Sequence, residues 1–497
     1  MLGPAPSASK AHHLMTHDAV IIGAGLGGLT AAAILARAGR KVLVIERSNS
    51  VGGAASSYKV GDLFVEGSLH ETSNPQDERD PKHDVLQRAG VLDAVTWVPA
   101  GGLYEVRGGP LNKPLAVPDN INAARDALWE RFPDATHAIA TLLSELAAAA
   151  QTKPDGHATL SERLGEIFAD NEALKCAVAA NLWYSHDDPK TLSWPVFSSL
   201  QGALLTHGAR FIQGGSQRLS SALARAVRAA GGQVLVRRIA TRIEMNENGS
   251  SRVTHAAKGG DDPQIVETRH VIGSASLEAI AGLLSDADAS RLRQHAAGRQ
   301  PSISLFALTL GLSRRPHSFG VSSYSTQILP PWMTRLDQYA EGTALMAHEP
   351  GERMPPLSVV DYAAIDSAIP APPFVLSVIG PDRLSNWNSD DMDAYREKRA
   401  RWQDAIVRYL DTIYPGLADA VVASSFNTAL SVRQYLNAPT GAVYGYAPLP
   451  PSPGMSPPTP RTAIRGLYLS SSYGGSGGYT GAITAGSACA DMILGEA

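Results

Sequence analysis

A glycine-rich segment near the start of the chain constrains the fold more than any other feature. Residues 19–47, "AVIIGAGLGGLTAAAILARAGRKVLVIER", read as a buried strand, a tight turn, an alanine-rich helix and a second buried strand. Strands that are apolar without alternation are typical of parallel sheets covered on both faces. A membrane-spanning helix is the alternative, but four glycines interrupt the apolar run. The segment therefore predicts a βαβ unit in an α/β fold.

The turn of this unit carries a GxGxxG motif formed by Gly23, Gly25 and Gly28, and Glu46 ends the second strand. Such glycines allow the tight turn, the close approach of a pyrophosphate, and close packing of helix against sheet. The start of the helix adds partial positive charge toward the phosphates. Glu46 can accept the ribose hydroxyls of an adenosine. The motif predicts dinucleotide binding, and the alternative is a glycine-rich turn without a ligand.

Composition narrows the class of protein. A chain of 497 residues is long enough for two or three domains, and 44% hydrophobic with 18% charged residues is ordinary for a globular protein. A net charge of -4 without a Lys/Arg run argues against a nucleic-acid partner. Two cysteines fit a reducing compartment. We therefore expect a cytoplasmic protein, with residues 1–17 as a disordered leader or a misassigned start ahead of Met15.

Longer stretches resemble a known family. "GAGLGGLTAAAILARAGRKVLVIERSNSVGGAASS" is similar to the N-terminal signature of FAD-containing oxidoreductases of the amine oxidase and phytoene desaturase group. "GGSQRLSSALARAVRAAGGQVLVRRIATRIEMN", "TGAVYGY" and "RGLYLSSSYGGSGGYTGAITAGSACADMI" are similar to later motifs of this group, in the same order. "LFVEGSLHETSNP" looks closer to retinol saturase-like members. The resemblance covers about half the chain and implies an FAD-dependent enzyme.

The resemblance also implies which residues hold FAD. Gly52 and Gly53 would contact its phosphate and ribose, together with Arg47 and Ala54, and the strand ending near Val236 would touch the adenine. A second glycine run, around Gly474 to Gly481, would follow the isoalloxazine ring. There Gly481 and Ala482 would begin a helix whose positive end faces flavin N1 and O2. The full expected set is Gly23, Gly25, Gly28, Glu46, Arg47, Gly52, Gly53, Ala54, Val236, Gly478, Gly481 and Ala482.

The expected fold class is α/β, with a Rossmann-like FAD-binding domain and an inserted mixed α+β substrate domain. Helical patterns without intervening strands between residues 111 and 205 indicate the insertion. We predict a discontinuous FAD-binding domain formed by residues 18–110, 206–300 and 425–497. Residues 111–205 and 301–424 are predicted to form the substrate or cap domain.

Several side chains are candidates for chemistry beside the flavin. A base could accept a proton from the substrate, and the catalytic candidates are His70, Glu66 and Tyr473, with Glu71 as a further acid. Core or loop roles are the alternative for each. Tyrosines that could wall an apolar substrate tunnel are Tyr435, Tyr444 and Tyr479. Arg433 could pair with an anion, and His186 lies beside two acids without the spacing of a metal site.

The resemblance implies desaturation of a C–C bond in an apolar, polyunsaturated or isoprenoid molecule, by hydride transfer to flavin N5. The alternatives are a saturase or a redox-neutral double-bond isomerase. An amine oxidase is disfavoured because Ser470, Ser471 and Ser472 stand where that branch carries an acid. A flavin-free prenyl-binding protein of the Rab GDP-dissociation inhibitor type shares the architecture. The electron acceptor, a quinone or O2, stays open, and peripheral membrane contact through residues 111–205 is expected.

Overall fold

The computed structural model describes residues 15–68, 70–152, 154–246, 249–387 and 390–496. Its strands are β1 (Met15–Ile22), β2 (Val42–Ile45), β3 (Ser57–Val60), β4 (Leu63–Glu66), β5 (Thr72–Ser73), β6 (Trp97–Pro99), β7 (Tyr104–Gly108), β8 (Leu111–Val117), β9 (Ala209–Ile212), β10 (Gln233–Leu235), β11 (Arg238–Met245), β12 (Ser251–Ala257), β13 (Gln264–Gly273), β14 (Ser304–Leu312), β15 (Ser325–Leu329), β16 (Leu357–Asp361), β17 (Phe374–Asp382), β18 (Val421–Asn427) and β19 (Leu467–Leu469).

Helices connect and cover these strands. They are α1 (Leu26–Arg37), α2 (His83–Arg88), α3 (Ile121–Arg131), α4 (Thr136–Gln151), α5 (Leu160–Phe168), α6 (Glu172–Ala179), α7 (Trp194–His207), α8 (Gln217–Ala229), α9 (Leu277–Ala281), α10 (Asp286–His295), α11 (Tyr339–Ala344), α12 (Met392–Ile413), α13 (Ala429–Leu436) and α14 (Gly478–Gly495). Within the described ranges, no helix has the length and apolar character needed to cross a membrane.

The first large sheet is built around a parallel core in the order β10-β2-β1-β13, with β19 also parallel to β13. Two antiparallel strands, β12 and β11, extend it. The apolar strands β1 and β2 are buried, and α1 packs on the sheet beside α8 and α14, which contact β10 and β19. On the other face, Ile280 of α9 and Leu292 of α10 pack in one core with strand residues such as Val20. Covering both faces of a parallel core is the doubly wound arrangement that the first βαβ unit predicted.

The second large sheet has the order β18-β14-β17-β16-β15-β7-β8 and is mostly antiparallel. Helix α12 covers it through a core that includes Trp402, Ile406 and Leu410. A small sheet in the order β5-β9-β6 and the hairpin β3-β4 are separate from both large sheets. Strand β4 contacts β14, β17 and β18, so this hairpin joins the two halves of the molecule.

The expected fold class is confirmed: a Rossmann-like sheet carries a second, mixed unit. Two of the expected domain bounds, which stay predictions, fall at paired strands. Strand β7 pairs with β8 and β15 of the second sheet, so the boundary at residue 110 separates two paired strands. The boundary after residue 424 falls inside β18. Cross-strand pairing with distant segments decides both cases, and local sequence carries no signal of it.

The expected leader is also too long at its C-terminal end. Residues 15–17 belong to β1, where Met15 pairs with Val266 and His17 with Thr268 of β13. Backbone pairing extends the strand through polar residues that side-chain hydrophobicity alone would exclude. Residues 1–14 lie outside the described residues.

Candidate functional site

The first glycine turn is shaped by contacts with the loop after β13. Gly23 has φ +97°, and a Cβ there would lie 2.9 Å from the Ser274 carbonyl oxygen. A Cβ on Gly28 would lie 2.5 Å from the Ser274 Cβ, and the Gly28 N–H donates to Ser274 Oγ at 2.9 Å. In the described chain no side chain caps α1 at Gly25 and no acid lies in its first turn. The start of this helix is therefore open to an anionic ligand.

The second glycine pair lies directly against this turn. The Gly52 N–H donates to the Ala24 carbonyl at 2.8 Å, and Gly25 and Gly52 form a parallel bridge. Gly53 has φ +58°, and a Cβ there would lie 3.3 Å from Gly25 Cα. Ala54 follows and is exposed. The two segments together form one backbone cradle that side chains would fill.

Glu46 lies at the end of β2 in a position suited to a ribose. Its Oε2 accepts from the Ala24 N–H at 2.8 Å and its Oε1 from the Ser48 N–H at 2.7 Å. Each oxygen keeps a further lone pair for a hydroxyl donor. The Glu46 N–H donates to the Leu235 carbonyl at 2.8 Å, so the half-buried Val236 lies beside it. The structure thus brings these two expected cofactor residues together.

Arg47 turns toward α13. Its Nη2 donates to the carbonyls of Gln434 and Tyr435 at 2.9 and 2.6 Å. The side chain of Tyr435 is exposed, with its OH 3.1 Å from Ser56 Oγ. Arg433 is half-buried and has no side-chain hydrogen bond or ion pair to described residues. Contact of Arg47 with a cofactor and of Tyr435 with a substrate stay predictions.

The second glycine run begins its helix earlier than expected. Helix α14 starts at Gly478, with Gly477 as its N-cap, so the expectation that Gly481 and Ala482 begin the helix is wrong. A tight turn fixes this start, because a Cβ on Gly481 would lie 2.1 Å from the Ser476 carbonyl oxygen. Around Gly478, φ +77°, a Cβ would meet no described atom within 4 Å. That position faces open space.

The two glycine runs meet at close range. A Cβ on Gly27 would lie 1.5 Å from the Ser470 carbonyl oxygen and 3.0 Å from that of Ala482. A Cβ on Gly486 would lie 2.3 Å from the Gly27 carbonyl oxygen. Both α1 and α14 start at glycine N-caps without a capping side chain in the described chain. Two uncapped helix starts held side by side fit a ligand with a pyrophosphate and an electron-accepting ring, as in FAD.

The expected tyrosines divide into two groups. A Cβ on Gly477 would lie 2.6 Å from Tyr444 Cβ, which places Tyr444 against the start of α14. Tyr479 lies in the first turn, and its buried OH has no hydrogen-bond partner among the described residues. Tyr473 packs edge-on against Tyr446 with ring centroids 5.1 Å apart. Tyr444 and Tyr479 are therefore the two of the set that border the expected flavin region.

The carboxylate of Glu66 accepts hydrogen bonds from other residues of the protein. Its Oε2 accepts from Ser57 Oγ and from the Ser216 N–H, both at 2.9 Å, and Ser216 Oγ donates to its Oε1. These bonds join the hairpin β3-β4 to the start of α8. A catalytic role for Glu66 stays a prediction, and its contacts favour a structural one.

His70 lies in a buried cluster with side chains of the second unit. Its Nε2 is 2.8 Å from Ser325 Oγ, and its Nδ1 is 3.1 Å from the Tyr184 OH. Tyr324 donates to the His70 carbonyl, and Trp183 stacks on the ring with centroids 6.0 Å apart. Burial lowers the pKa of His70 to about 3. The imidazole is therefore neutral over the physiological range.

Glu71 belongs to the same cluster. The Tyr184 OH donates to its Oε1 at 2.7 Å, while its Oε2 is buried without a partner among the described residues. Burial raises the pKa of Glu71 to about 8, against the lowering effect of the Tyr184 hydrogen bond. The carboxyl is therefore mostly neutral at pH 7.

Lys82 and Asp80 form a second buried group that the sequence did not reveal. Both side chains are fully buried and lie 2.8 Å apart. Lys82 Nζ also donates to Ser73 Oγ at 2.7 Å and to Thr480 Oγ1 at 3.2 Å. The pair fixes the segment after β5 to the first turn of α14.

Sequence reasoning missed the partners contributed by the second unit, chiefly Tyr184, Tyr324 and Ser325. The stretch "NLWYSHDD", residues 181–188, contains Tyr184 as well as the candidate His186. Its Nε2 lies 3.0 Å from Thr191 Oγ1, and Asp187 pairs with Arg383 at 2.6 Å. The useful signal in this stretch was the aromatic pair that precedes His186.

Comparison with known proteins agrees with this geometry. The all-trans-retinol 13,14-reductase of Danio rerio is 23% identical over 535 residues, covering 96% of this chain and 86% of that protein. A component of the limonene dehydrogenase of Castellaniella defragrans is 27% identical over 340 residues, covering 60% of each chain. The crystal structure of an oxidoreductase from Methanosarcina mazei matches the fold with a TM-score of 0.65 at 18% identity, covering 97% of this chain and 100% of that one.

A family model described as flavin containing amine oxidoreductase matches residues 26–494, almost the whole chain. The match begins within the first glycine turn and includes the later glycine run and the second unit. The protein is an FAD-dependent oxidoreductase. This chain belongs to the flavin containing amine oxidoreductase family.

Proposed function

We propose that this flavoenzyme desaturates a C–C bond of an uncharged, apolar, isoprenoid-like molecule. The observation that carries the proposal is the neutrality of the buried polar cluster. Burial lowers the pKa of His70, so its ring is neutral at pH 7. Burial raises the pKa of Glu71, so its carboxyl is mostly protonated at the same pH. The neighbouring Tyr184 and Tyr324 are phenols whose pKa values burial also raises. A buried site without charge suits a neutral substrate, because a buried ammonium ion would need a paired anion.

Bound FAD supplies two-electron chemistry, the exchange of a hydride with a substrate carbon. The protein must then orient an apolar chain and handle one proton. Tyr444 and Tyr479 offer apolar ring faces beside α14, and a separate set of aromatic residues surrounds His70. The names of the two relatives concern retinol and limonene, which supports an isoprenoid substrate class.

Saturation of a double bond is the second candidate. It is supported by the activity for which the Danio rerio relative is named, a reductase that this chain matches over most of its length. The limonene dehydrogenase supports the oxidative direction. An amine substrate is less well supported, because serines rather than an acid follow β19.

Anaerobic flavin spectra test the proposal. The oxidised holoenzyme is mixed in turn with limonene, 13,14-dihydroretinol and putrescine, and the dithionite-reduced holoenzyme with all-trans-retinol. Bleaching by either hydrocarbon-like donor supports desaturation, and reoxidation by retinol supports saturation. Bleaching by putrescine alone would overturn the C–C assignment. A protein that stays colourless after reconstitution with FAD would instead favour the flavin-free prenyl-binding alternative.

We further propose that the protein works in the cytoplasm, collects its substrate at a membrane surface through residues 111–205, and passes electrons to a quinone or O2. The support is the poor water solubility expected of such a substrate. Flotation with liposomes of neutral and anionic composition tests the contact, and a protein that sediments under every salt condition would contradict it.

A further inference from the structure

A continuous chain of hydrogen bonds leads through the buried cluster to Glu71. Trp183 Nε1 donates to Gln327 Oε1 at 3.0 Å, and Gln327 Nε2 lies 3.5 Å from Ser325 Oγ. Ser325 Oγ lies 2.8 Å from His70 Nε2. The Tyr184 hydroxyl uses its one proton on Glu71 Oε1, so it accepts from His70 Nδ1, and the neutral ring then accepts from the Ser325 hydroxyl at Nε2.

The direction of the remaining bonds follows. A neutral His70 that accepts at Nε2 carries its proton on Nδ1, which then donates to the Tyr184 oxygen 3.1 Å away. The Tyr184 hydroxyl donates to Glu71 Oε1 at 2.7 Å. Every donor in the chain therefore points toward Glu71, while the Glu71 Oε2 is left without a partner among the described residues.

A short segment of chain connects Glu71 to residues that contact α14, the helix expected to border the flavin. Ser73, two positions further along the chain, accepts from Lys82 Nζ, and the same ammonium group donates to Thr480 in the first turn of α14. Both of these bonds are buried or partly buried. The short segment from Glu71 to Ser73 thus spans from the cluster to the start of α14.

We propose that Glu71 exchanges a proton with the substrate carbon next to the one that exchanges a hydride, and that Tyr184 and His70 are positioning residues for it. The inference rests on the proposed function. In desaturation, the carbon–hydrogen bond releases its proton to the Glu71 carboxylate while the neighbouring carbon loses a hydride to oxidised flavin, and a C=C bond forms. In saturation the Glu71 Oε2–H bond breaks, and flavin reduced by a two-electron donor such as dithionite supplies the hydride.

The surroundings of Glu71 suit this exchange. Burial is the main cause that raises its pKa to about 8, the charge of Asp119 acts in the same sense, and the Tyr184 hydroxyl opposes them. The other titratable groups around it, Tyr104 and Tyr324, are phenols with raised pKa values. A pKa near the working pH keeps both protonation states accessible, which is the condition for efficient acid–base catalysis.

The hydrogen-bond chain serves the ionised form. When Glu71 loses its proton, the Tyr184 hydroxyl already points at Oε1 and stabilises the new carboxylate. His70 holds Tyr184 in that orientation, and Ser325 holds the His70 tautomer. Replacing Tyr184 by Phe should therefore raise the pKa of Glu71 further and leave its protonated form intact.

Infrared titration of the purified holoenzyme tests the proton site without any substrate. We expect the C=O band of one buried carboxylic acid to disappear with a midpoint near pH 8, the pKa to which burial raises Glu71. The band should be absent in Glu71→Gln, shift to a higher midpoint in Tyr184→Phe, and remain unchanged in Glu78→Gln, which alters an exposed acid nearby. The buried Asp382, whose pKa is also raised by burial, contributes to the C=O region in every variant, so the wild-type titration is compared with that of Glu71→Gln. Identical titrations of the two proteins, or a midpoint of the lost band in the ordinary carboxyl range, would overturn the proposal.

The flavin half-reaction tests the chemical role. With dithionite-reduced enzyme and all-trans-retinol in D2O, we expect deuterium at two neighbouring substrate carbons, because the N5 hydrogen of reduced flavin and the Glu71 proton both exchange with solvent. The rate should fall by roughly 100-fold or more in Glu71→Gln. In Tyr184→Phe the pH profile should follow the shifted infrared midpoint, which a purely structural role would not produce. Equal rates in wild type and Glu71→Gln would overturn the role of Glu71 and leave the proposed function standing. Absence of any flavin reaction in wild type, in either direction, would overturn both.

Discussion

The ammonium group of Lys82 lies 3.2 Å from the hydroxyl oxygen of Thr480, so a fully buried cation touches the first turn of α14. Asp80 and Ser73 take its other two N–H donors. A buried pair with all its donors satisfied adds little net stability but fixes one geometry. Its position makes it a support for α14, the helix that is expected to border the flavin.

Removing the cation alone should be costly. Lys82→Met leaves the Asp80 carboxylate buried without its partner, and we expect a loss of about 3–5 kcal/mol in the free energy of unfolding. Urea denaturation of the apoprotein measures it. The double variant Asp80→Asn with Lys82→Met should recover part of the loss, since no charge remains buried. An unchanged midpoint for the single variant would show that the pair is open to water in solution.

The contact between the two glycine runs predicts a sharp difference between two glycine substitutions. Gly27→Ala places a methyl group 1.5 Å from the Ser470 carbonyl oxygen, so α1 must move away from the segment that follows β19, and FAD should be lost. Gly165→Ala lies inside α5, where a Cβ meets no described atom within 4 Å. It should raise stability by about 0.5–1 kcal/mol and leave FAD bound. Flavin absorbance after gel filtration and thermal unfolding separate the two results.

Replacing Glu46 should lower FAD affinity by more than the loss of its charge alone would do. Glu46→Ala removes the acceptor of two backbone donors, at Ala24 and Ser48, in addition to any ribose contact. Bonds to charged groups contribute about 1.5–3 kcal/mol each, so we expect FAD affinity to fall by roughly tenfold or more. Glu46→Gln, which keeps one oxygen acceptor, should be intermediate. Fluorescence titration with FAD gives both values, and equal affinity in all three proteins would contradict the expectation.

The carboxyl of Asp361 makes the free energy of unfolding depend on pH. Burial raises the pKa of this carboxyl from its ordinary 3.8 to about 6, so the folded state holds the proton more tightly than the unfolded state. Its stabilising effect is present below pH 3.8 and is lost as pH rises through 6. Asp361→Asn still offers an oxygen to the Ala363 N–H, whose bond to Asp361 is 2.8 Å. We expect the variant to be more stable than wild type at about pH 7 and equal below about pH 4, by urea denaturation at each pH.

Local features were predictable from the sequence, because a short segment carries all their determinants. The turn at Gly23, Gly25 and Gly28 and the strands around it depend on neighbouring residues, and they lie where the pattern placed them. The start of α14 was misplaced because glycine has a low helix propensity, and sequence alone does not show that the residues from Gly478 onward already belong to the helix.

The candidate proton site could not be predicted in the same way. His70 and Glu71 were visible as titratable residues in a motif, but their partners come from far along the chain: Tyr184 is 114 positions from His70, and Ser325 is 255 positions away. Their pKa values depend on burial by that packing. Strand β7 shows the same limit, since its place in the second sheet is set by pairing with β15.

Two native contacts of the cofactor region, between β13 and β19 and between α1 and α14, can form only after a long intervening stretch of chain has been synthesised. The first turn of the cofactor cradle lies at Gly23, and the helix that completes it begins only at Gly478. At ~5–20 residues per second, the interval is roughly 20–90 s. During that time the face of α1 that packs on α14 has no native cover, so nascent chains of this enzyme should be clients of ribosome-bound chaperones, and flavin should bind only after α14 has been synthesised.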